Sequence, residues 1–338
     1  MSNGPKTTAP SRDPATKPPT PPTGNAAGRT WLQGLAGLTV GLVFLWLAFR
    51  STSWQQVQPI LEDIHSGWLA IALVAYGLDL CLRIKRWQGL LVGIKRLSFK
   101  SVGQALLIGY AMNNVLPARL GELVRANFTG SRHGLSRTGV VASIAVERVL
   151  DGLIVVACLV IGRLFVAESG TLDQLMAAGG ILFLSLLGTL WAISRSAFNA
   201  LLRRMPKAAQ QKLHSFRQGL SVMQGGLGQA LALSALIWLL EGTALWAMLN
   251  AVGVYLGWQQ MLSVIGVVSL STLLPSPPGF VGTYQYAFVL IIGLMGYTAA
   301  QGIAAATATQ LFLLGSVTLC GLSLYTYTHI AAEKPYDG

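Results

Sequence analysis

Between residues 31 and 328, apolar runs alternate with short polar stretches, and most of the runs are long enough to cross a bilayer as helices. The pattern predicts full spans at residues 31–49, 68–82, 138–163, 174–193, 227–250 and 302–328. Two further apolar stretches are interrupted. Residues 101–116 and 120–129 flank Pro117, while residues 261–274 and 280–296 flank Pro275, Ser276, Pro277, Pro278 and Gly279. Proline lacks an N–H and clashes with the preceding turn, so neither stretch can run as one helix. Inside a bilayer the freed backbone groups must be buried in protein or line a wet cavity. The expectation is an all-α polytopic membrane protein with about six transmembrane helices and two broken, re-entrant helical hairpins. At the first break two short full crossings would place the flanks identically, although residues 101–116 reach only about 24 Å as a helix.

Setting Pro117 against Pro275 also aligns Gly121 with Gly279, Leu116 with Leu274, Leu91 with Leu249 and Ile94 with Val252, a constant offset of 158 positions. Each half then reads span, broken hairpin, span, with repeat 1 at about 68–163 and repeat 2 at about 227–328. Loop charge gives the orientation. Arg83, Lys85 and Arg86, with Lys95, Arg96 and Lys100, read as a cytoplasmic flank, with Trp87 at headgroup level. Arg132 and Arg137 mark the other flank of the first hairpin as cytoplasmic too, whereas the second hairpin follows the uncharged linker 252–260 and opens outside. Oppositely oriented broken segments point to an inverted repeat with a site where the breaks meet.

Composition agrees with a membrane class. The chain is 53% hydrophobic and only 11% charged, against about a quarter charged in soluble domains. Its net charge of +12 sits in loops between apolar spans, which fits positive-inside topology and excludes a nucleic-acid partner. Residues 1–29 hold seven of the fourteen prolines and read as a disordered cytoplasmic tail. The domain is expected over 30–328, with a short cytoplasmic tail at 329–338. Residues 195–217 carry Arg195, Arg203, Arg204, Lys207, Lys212, His214 and Arg217 between Leu, Met and Phe. They read equally as an amphipathic helix on the anionic leaflet or as a plain basic loop. Cys81, Cys158 and Cys320 form no metal or disulfide pattern and are expected as small buried residues. No cofactor or metal is expected.

The candidate chemistry lies at the breaks. Asn113, Asn114, Arg119, Glu122 and Arg125 surround the first, and Arg119, Glu122 and Arg125 share one side of a short helix. Glu147, Arg148 and Asp151 lie on the following span, where Arg119, Arg125 or Arg148 could pair the acids. Ser276, Thr283 and Tyr284 surround the second break. Ionisable groups in a membrane mark pathways or hold helices together as ion pairs, and both roles stand for these acids. Arginine suits a lipid phosphate because its planar fork binds two oxygens and stays charged when dehydrated. Glu241 reads as a coupling-proton carrier, a helix cap or an arginine partner. Gly152 is expected at a close helix contact, and Gly121 and Gly279 in flexible loops.

Four motifs, Leu82-Arg-Ile-Lys-Arg-Trp-Gln-Gly-Leu-Leu91, Asn114-Val-Leu-Pro-Ala-Arg-Leu-Gly-Glu-Leu-Val-Arg125, Glu147-Arg-Val-Leu-Asp-Gly152 and Pro278-Gly-Phe-Val-Gly-Thr-Tyr-Gln-Tyr286, resemble the flippase-like integral membrane family. That family is related to the transmembrane region of lysylphosphatidylglycerol synthases and includes stand-alone members of hopanoid and glycolipid pathways. The resemblance implies lipid handling, with translocation between leaflets as the leading activity. By position it marks Pro117, Arg119, Gly121, Glu122, Arg125, Glu147, Arg148, Asp151, Pro278, Gly279 and Gly282. The extra proline in Pro277-Pro278-Gly279 departs from the family's Pro-Gly-Gly and should stiffen that loop.

The expected function is a lipid flippase or lipid-binding transporter in the inner membrane, with both termini cytoplasmic. It would act on an anionic or amphipathic phospholipid, polyprenyl-linked lipid or hopanoid. Two alternatives stand beside it: a membrane-embedded lipid or glycolipid transferase or its accessory subunit, and a scaffold for lipid-pathway enzymes. Enzyme status is left open, with the balance against it. No GxxxxGK[ST] loop, HExxH or metal cluster is present, and no aminoacyltransferase domain is expected after residue 328.

Overall fold

The computed structural model describes residues 38–116, 120–166, 169–195, 206–274 and 276–333. Expectations placed on the 1–29 tail, Pro117, Arg119, Pro275, residues 196–205 and residues 334–338 lie outside the described residues. All the described regular elements are helical. In chain order they are α1 (Leu38–Phe49), α2 (Trp54–Glu62), α3 (Ser66–Leu91), α4 (Phe99–Val115), α5 (Gly121–His133), α6 (Arg137–Gly162), α7 (Gly170–Ser194), α8 (Lys207–Gly219), α9 (Leu227–Ala251), α10 (Trp258–Ser271), α11 (Thr283–Gly293), α12 (Ala299–Thr309) and α13 (Gly315–Glu333). A π-turn at Gln310–Leu314 joins α12 to α13.

Among the described residues four helices are long and apolar enough to cross a membrane: α3, α7, α9 and the α12–α13 unit. The other two expected spans stand differently. α6 has 26 residues, enough to cross, yet carries Glu147, Arg148 and Asp151 at its middle. α1 is described only from Leu38 onward. The legs of the two hairpins, α4, α5, α10 and α11, have 17, 13, 14 and 11 residues, or about 26, 20, 21 and 17 Å of helix. Each is shorter than a hydrocarbon core of about 30 Å. α4 packs on α5 and α10 on α11.

The two halves pack reciprocally. α3 and α9, which correspond under the 158-residue offset, form the most extensive helix pair. α4 packs on α13, and its counterpart α10 packs on α6. Outward-facing side chains are apolar: Val74, Leu78, Ile181, Leu184, Trp191 and Leu319 are all exposed at the bundle's periphery. Cys81 and Cys320 share that exposed surface and Cys158 is half-buried, so the expectation that all three are buried fails. These helices simply turn that side outward.

At the first break α4 ends at Val115, and Leu116 is extended with ψ 142°. Gly121 then starts α5 so close to α4 that a Cβ there would lie 2.2 Å from the Gly109 carbonyl oxygen and 2.4 Å from the Asn113 nitrogen. Gly121 therefore serves close packing rather than loop flexibility. At the second break Gly282 has φ 92°, and a Cβ on it would meet the Gly41 carbonyl oxygen of α1 at 2.0 Å. Gly152 faces the Phe183 ring as a close helix contact.

α3 continues nine residues past Leu82, and this overturns part of the charge reading. Arg83, Arg86 and Trp87 are buried inside the bundle, not displayed as a cytoplasmic flank with an interfacial tryptophan. Two of the three cations counted there are consumed by internal acids, so the basic flank rests on Lys85, Lys95, Arg96 and Lys100. Asp173 lies in the first turn of α7 and pairs with Arg163 at 2.8 Å.

Candidate functional site

Arginine and carboxylate side chains from α3, α5, α6 and α9 form two ion-paired clusters, bridged by Trp238 of α9, which donates to Asp151 and lies under Arg83. Arg83 Nε donates to Asp79 Oδ2 at 2.6 Å, one turn back on α3, and its Nη2 donates to Glu241 Oε2 of α9 at 3.2 Å. Arg83 and Glu241 are themselves 158 positions apart, so the pair joins equivalent points of the two halves. Arg86 binds Asp151 through both arms, Nη1 to Oδ1 at 2.5 Å and Nη2 to Oδ2 at 3.0 Å. Ser234 Oγ accepts from Arg86 at 2.7 Å, and Trp238 Nε1 donates to Asp151 at 3.1 Å.

Arg125 binds Glu147 in the same two-armed way, at 3.0 and 2.8 Å. Its guanidinium stacks 3.5 Å over the Trp87 ring, whose Nε1 donates to Ser143 Oγ at 3.1 Å. Stacking and forked hydrogen bonding together suit arginine rather than lysine. Arg148 reaches Glu147 at 2.5 Å, Glu122 at 3.6 Å and Asp151 at 3.7 Å. Burying these charges is tolerable because each has a geometrically good partner.

In front of this network lies a cavity of about 390 Å³. Its polar wall comprises Tyr76, Arg83, Tyr110, Asn113, Asn114, Glu122, Arg148, Asp151, Trp238 and Glu241. The rest of the lining is neutral and comes from both halves, with Val155, Phe183 and Leu245 as well as Phe280, Tyr284 and Leu314. Asn114 Nδ2 donates to Thr318 Oγ1 at 2.8 Å, tying the first break to α13. An amide chain holds the second break. The Gly282 N–H donates to Gln285 Oε1 at 2.7 Å, Gln285 donates to Gln310 at 2.5 Å, and Gln310 donates to the Gly279 carbonyl at 2.7 Å. Gln310 opens the π-turn, a distortion that recurs at functional sites. Phe280 sits at φ 60°, a left-handed conformation that bulky side chains avoid unless their surroundings impose it.

The expected site residues divide. Asn113, Asn114, Glu122, Arg148, Asp151, Tyr284 and Glu241 converge on the cavity. Arg125 and Glu147 lie behind its wall, exposed by 1% and 0%, and the Thr283 hydroxyl turns back to the Phe280 carbonyl at 3.1 Å. Of the roles expected for Glu241, the arginine partner is the one seen, with Arg83, and the partner of Asp151 is chiefly Arg86. Asp79, Arg83 and Arg86 escaped the sequence reading because the arginines resembled topology signals. A signal was nonetheless present: Asp79 and Arg83 are one turn apart within an apolar run. Among the described residues no group of His, Cys, Asp and Glu is arranged to hold a metal ion.

Comparison with known proteins bears on this architecture. The chain is 27% identical, over 88% of its length, to "Glycosyltransferase AglD" of Haloferax volcanii, and spans 56% of that relative. The chain thus covers little more than half of the relative it matches. Residues 34–321, which include both breaks and the whole ion-pair network, match the model of the lysylphosphatidylglycerol synthase transmembrane region. The chain is a multi-pass membrane protein and belongs to the lysylphosphatidylglycerol synthase transmembrane region family.

Proposed function

We propose that this protein binds an amphipathic lipid in the cavity between its two breaks and moves the headgroup from one leaflet to the other, as a flippase-like transporter. One observation carries the reading: a cavity of about 390 Å³, lined by both charged and apolar side chains, lies within a bundle whose outer surface is apolar. The charged side chains suit a headgroup and the apolar ones the root of the acyl or prenyl chain. Among the arginines, Arg148 is the best placed to meet an anionic group, because its side chain is 31% exposed and its contacts to Glu122 and Asp151 are long, at 3.6 and 3.7 Å. A phosphate oxygen would replace Glu122 there with a shorter, two-armed contact. Arg125, committed to Glu147 and Trp87, serves the architecture instead. Both hairpins are read as re-entrant from opposite faces, in the inner membrane, with both termini cytoplasmic.

The relative's name supports a second reading, an accessory subunit in a glycolipid pathway. Direct transferase chemistry fits less well: Glu147 and Asp151 are each clamped by two guanidinium arms, which blocks their approach to a substrate proton.

The test is translocation of headgroup-labelled lipids in proteoliposomes, together with the lipids that co-purify in native nanodiscs. Leu314→Trp, which fills the cavity from its lining, should abolish translocation while leaving thermal unfolding unchanged. Full translocation by a correctly folded Leu314→Trp protein would reject the reading.

A further inference from the structure

Within the network the cluster on α3 and α9 is uneven. Arg83 is held between two carboxylates, Asp79 at 2.6 Å and Glu241 at 3.2 Å. Asp79 is fully buried, and its second oxygen, Oδ1, has no hydrogen-bond donor. A buried carboxylate oxygen bearing charge without a donor is among the costliest arrangements in a protein, whereas a neutral carboxyl in the same place costs far less. Glu241, with 21% of its side chain exposed, lines the cavity and gives the cluster a wet face.

The groups facing the cluster are Tyr76 and Arg86 on α3, Tyr110 on α4, Asp151 on α6, and Trp238 on α9, with Tyr284 on α11 beside Glu241. Arg86 is committed to Asp151, so it does not offset the surplus carboxylate. The Tyr110 hydroxyl is buried and unpartnered.

We infer that Asp79, Arg83 and Glu241 form a proton-binding site that opens to the cavity through Glu241 and holds one proton between its two carboxylates. The proton enters from the cavity at Glu241 and settles on Asp79, which leaves Arg83 paired with Glu241 across the two halves. When the proton leaves, Arg83 is shared between two anions and its grip on α9 weakens. Because α3 and α9 are the equivalent helices of the two halves, the proton controls the strength of the link between them. A transporter so built couples headgroup movement to proton movement, and that coupling rests on the function proposed above; the proton site itself does not.

Infrared difference spectroscopy of the full chain in nanodiscs, stepped in pH, reads the site directly through the carboxylic-acid carbonyl band. Wild type should show that band at neutral pH and lose it as pH rises. Asp79→Asn and Glu241→Gln should each lack it at neutral pH, since either substitution leaves one carboxylate for one guanidinium. A wild type without the band, or a band unchanged in both variants, overturns the proton site. The milder Glu241→Gln variant keeps the test usable if Asp79→Asn does not fold. A band that behaves as expected, in a protein that moves no lipid, upholds the proton site and removes the transport reading instead.

Discussion

At the first break α4 and α5 meet against guanidiniums and carboxylates anchored on α3 and α6, whereas at the second α10 and α11 meet against a chain of neutral amides ending at the π-turn. The helices behind the two breaks are equivalent, yet positions 158 after Glu147 and Asp151 hold Ala305 and Thr309. The same layout is thus held by charge in one half and by backbone and amide hydrogen bonding in the other. The difference lies in what happens when one partner is lost. A buried charge left alone demands several kcal/mol, while a lost neutral hydrogen bond demands far less. The charged half should therefore be the brittle one and the neutral half the tolerant one.

The largest test of that contrast is Arg125→Ala. It strands Glu147 with only Arg148 and a distant Arg86 at 4.0 Å, and removes the cation over Trp87. We expect a loss of about 3–5 kcal/mol in unfolding free energy, seen as a large fall in the thermal midpoint in detergent. A paired Arg125→Met, Glu147→Met protein should recover much of it. If the single variant unfolds like wild type, the charged half is not held together by this pair.

Glycine substitutions sharpen the comparison at the turns. Gly121→Ala places a Cβ 2.2 Å from a backbone oxygen, which packed backbone cannot accommodate, so a loss of about 3 kcal/mol is expected. Gly279→Ala meets nothing closer than 4.0 Å and is strained only by φ 70°, so about 1 kcal/mol is expected. The two melting curves, measured side by side, decide whether Gly121 is held by packing and Gly279 merely by its backbone angle. Equal shifts would erase the distinction.

Much of this layout was legible because hydrophobic run length and proline are local signals. The spans, both interruptions and the 158-residue offset could be read from residues such as Pro117, Pro275 and Gly121 alone. The partners of the charges could not, because pairing depends on which faces meet across α3, α6 and α9. Arg83 and Arg86 were misread for that reason: a basic residue near a helix end looks alike whether it faces water or an acid on another helix. Glu147 and Asp151 were recognisable as needing a cation, but the cation that serves Asp151 comes from 65 positions away. Gln285 and Gln310 gave no signal, since an amide in an apolar helix announces neither its partner nor a π-turn.

Gln310→Leu tests the neutral half directly. It removes the donor to the Gly279 carbonyl and the acceptor for Gln285, two contacts that join the second break to the last span. Because the groups left behind are uncharged, a loss of about 2 kcal/mol is expected, smaller than for Arg125→Ala. Hydrogen exchange at residues 278–285 should rise in this variant while exchange in α5 stays unchanged.

The smallest effect separates two neighbouring amides on the first break. Asn114 donates to Thr318 at 2.8 Å, so Asn114→Ala should cost about 1 kcal/mol. Asn113 also lines the cavity, but its Oδ1 is buried with no donor. An acceptor left without a partner adds nothing to stability, so Asn113→Ala should unfold at or slightly above the wild-type midpoint. The side chain nonetheless lines the cavity, and its removal should slow lipid translocation several-fold although the fold is no weaker. Opposite signs for Asn113→Ala in the two measurements would mark it as a site residue, while a parallel fall in both would make it structural like Asn114. The contrast between the halves would then reach down to adjacent positions on one helix, where one amide ties the break to α13 and the next is left unpaired beside the cavity.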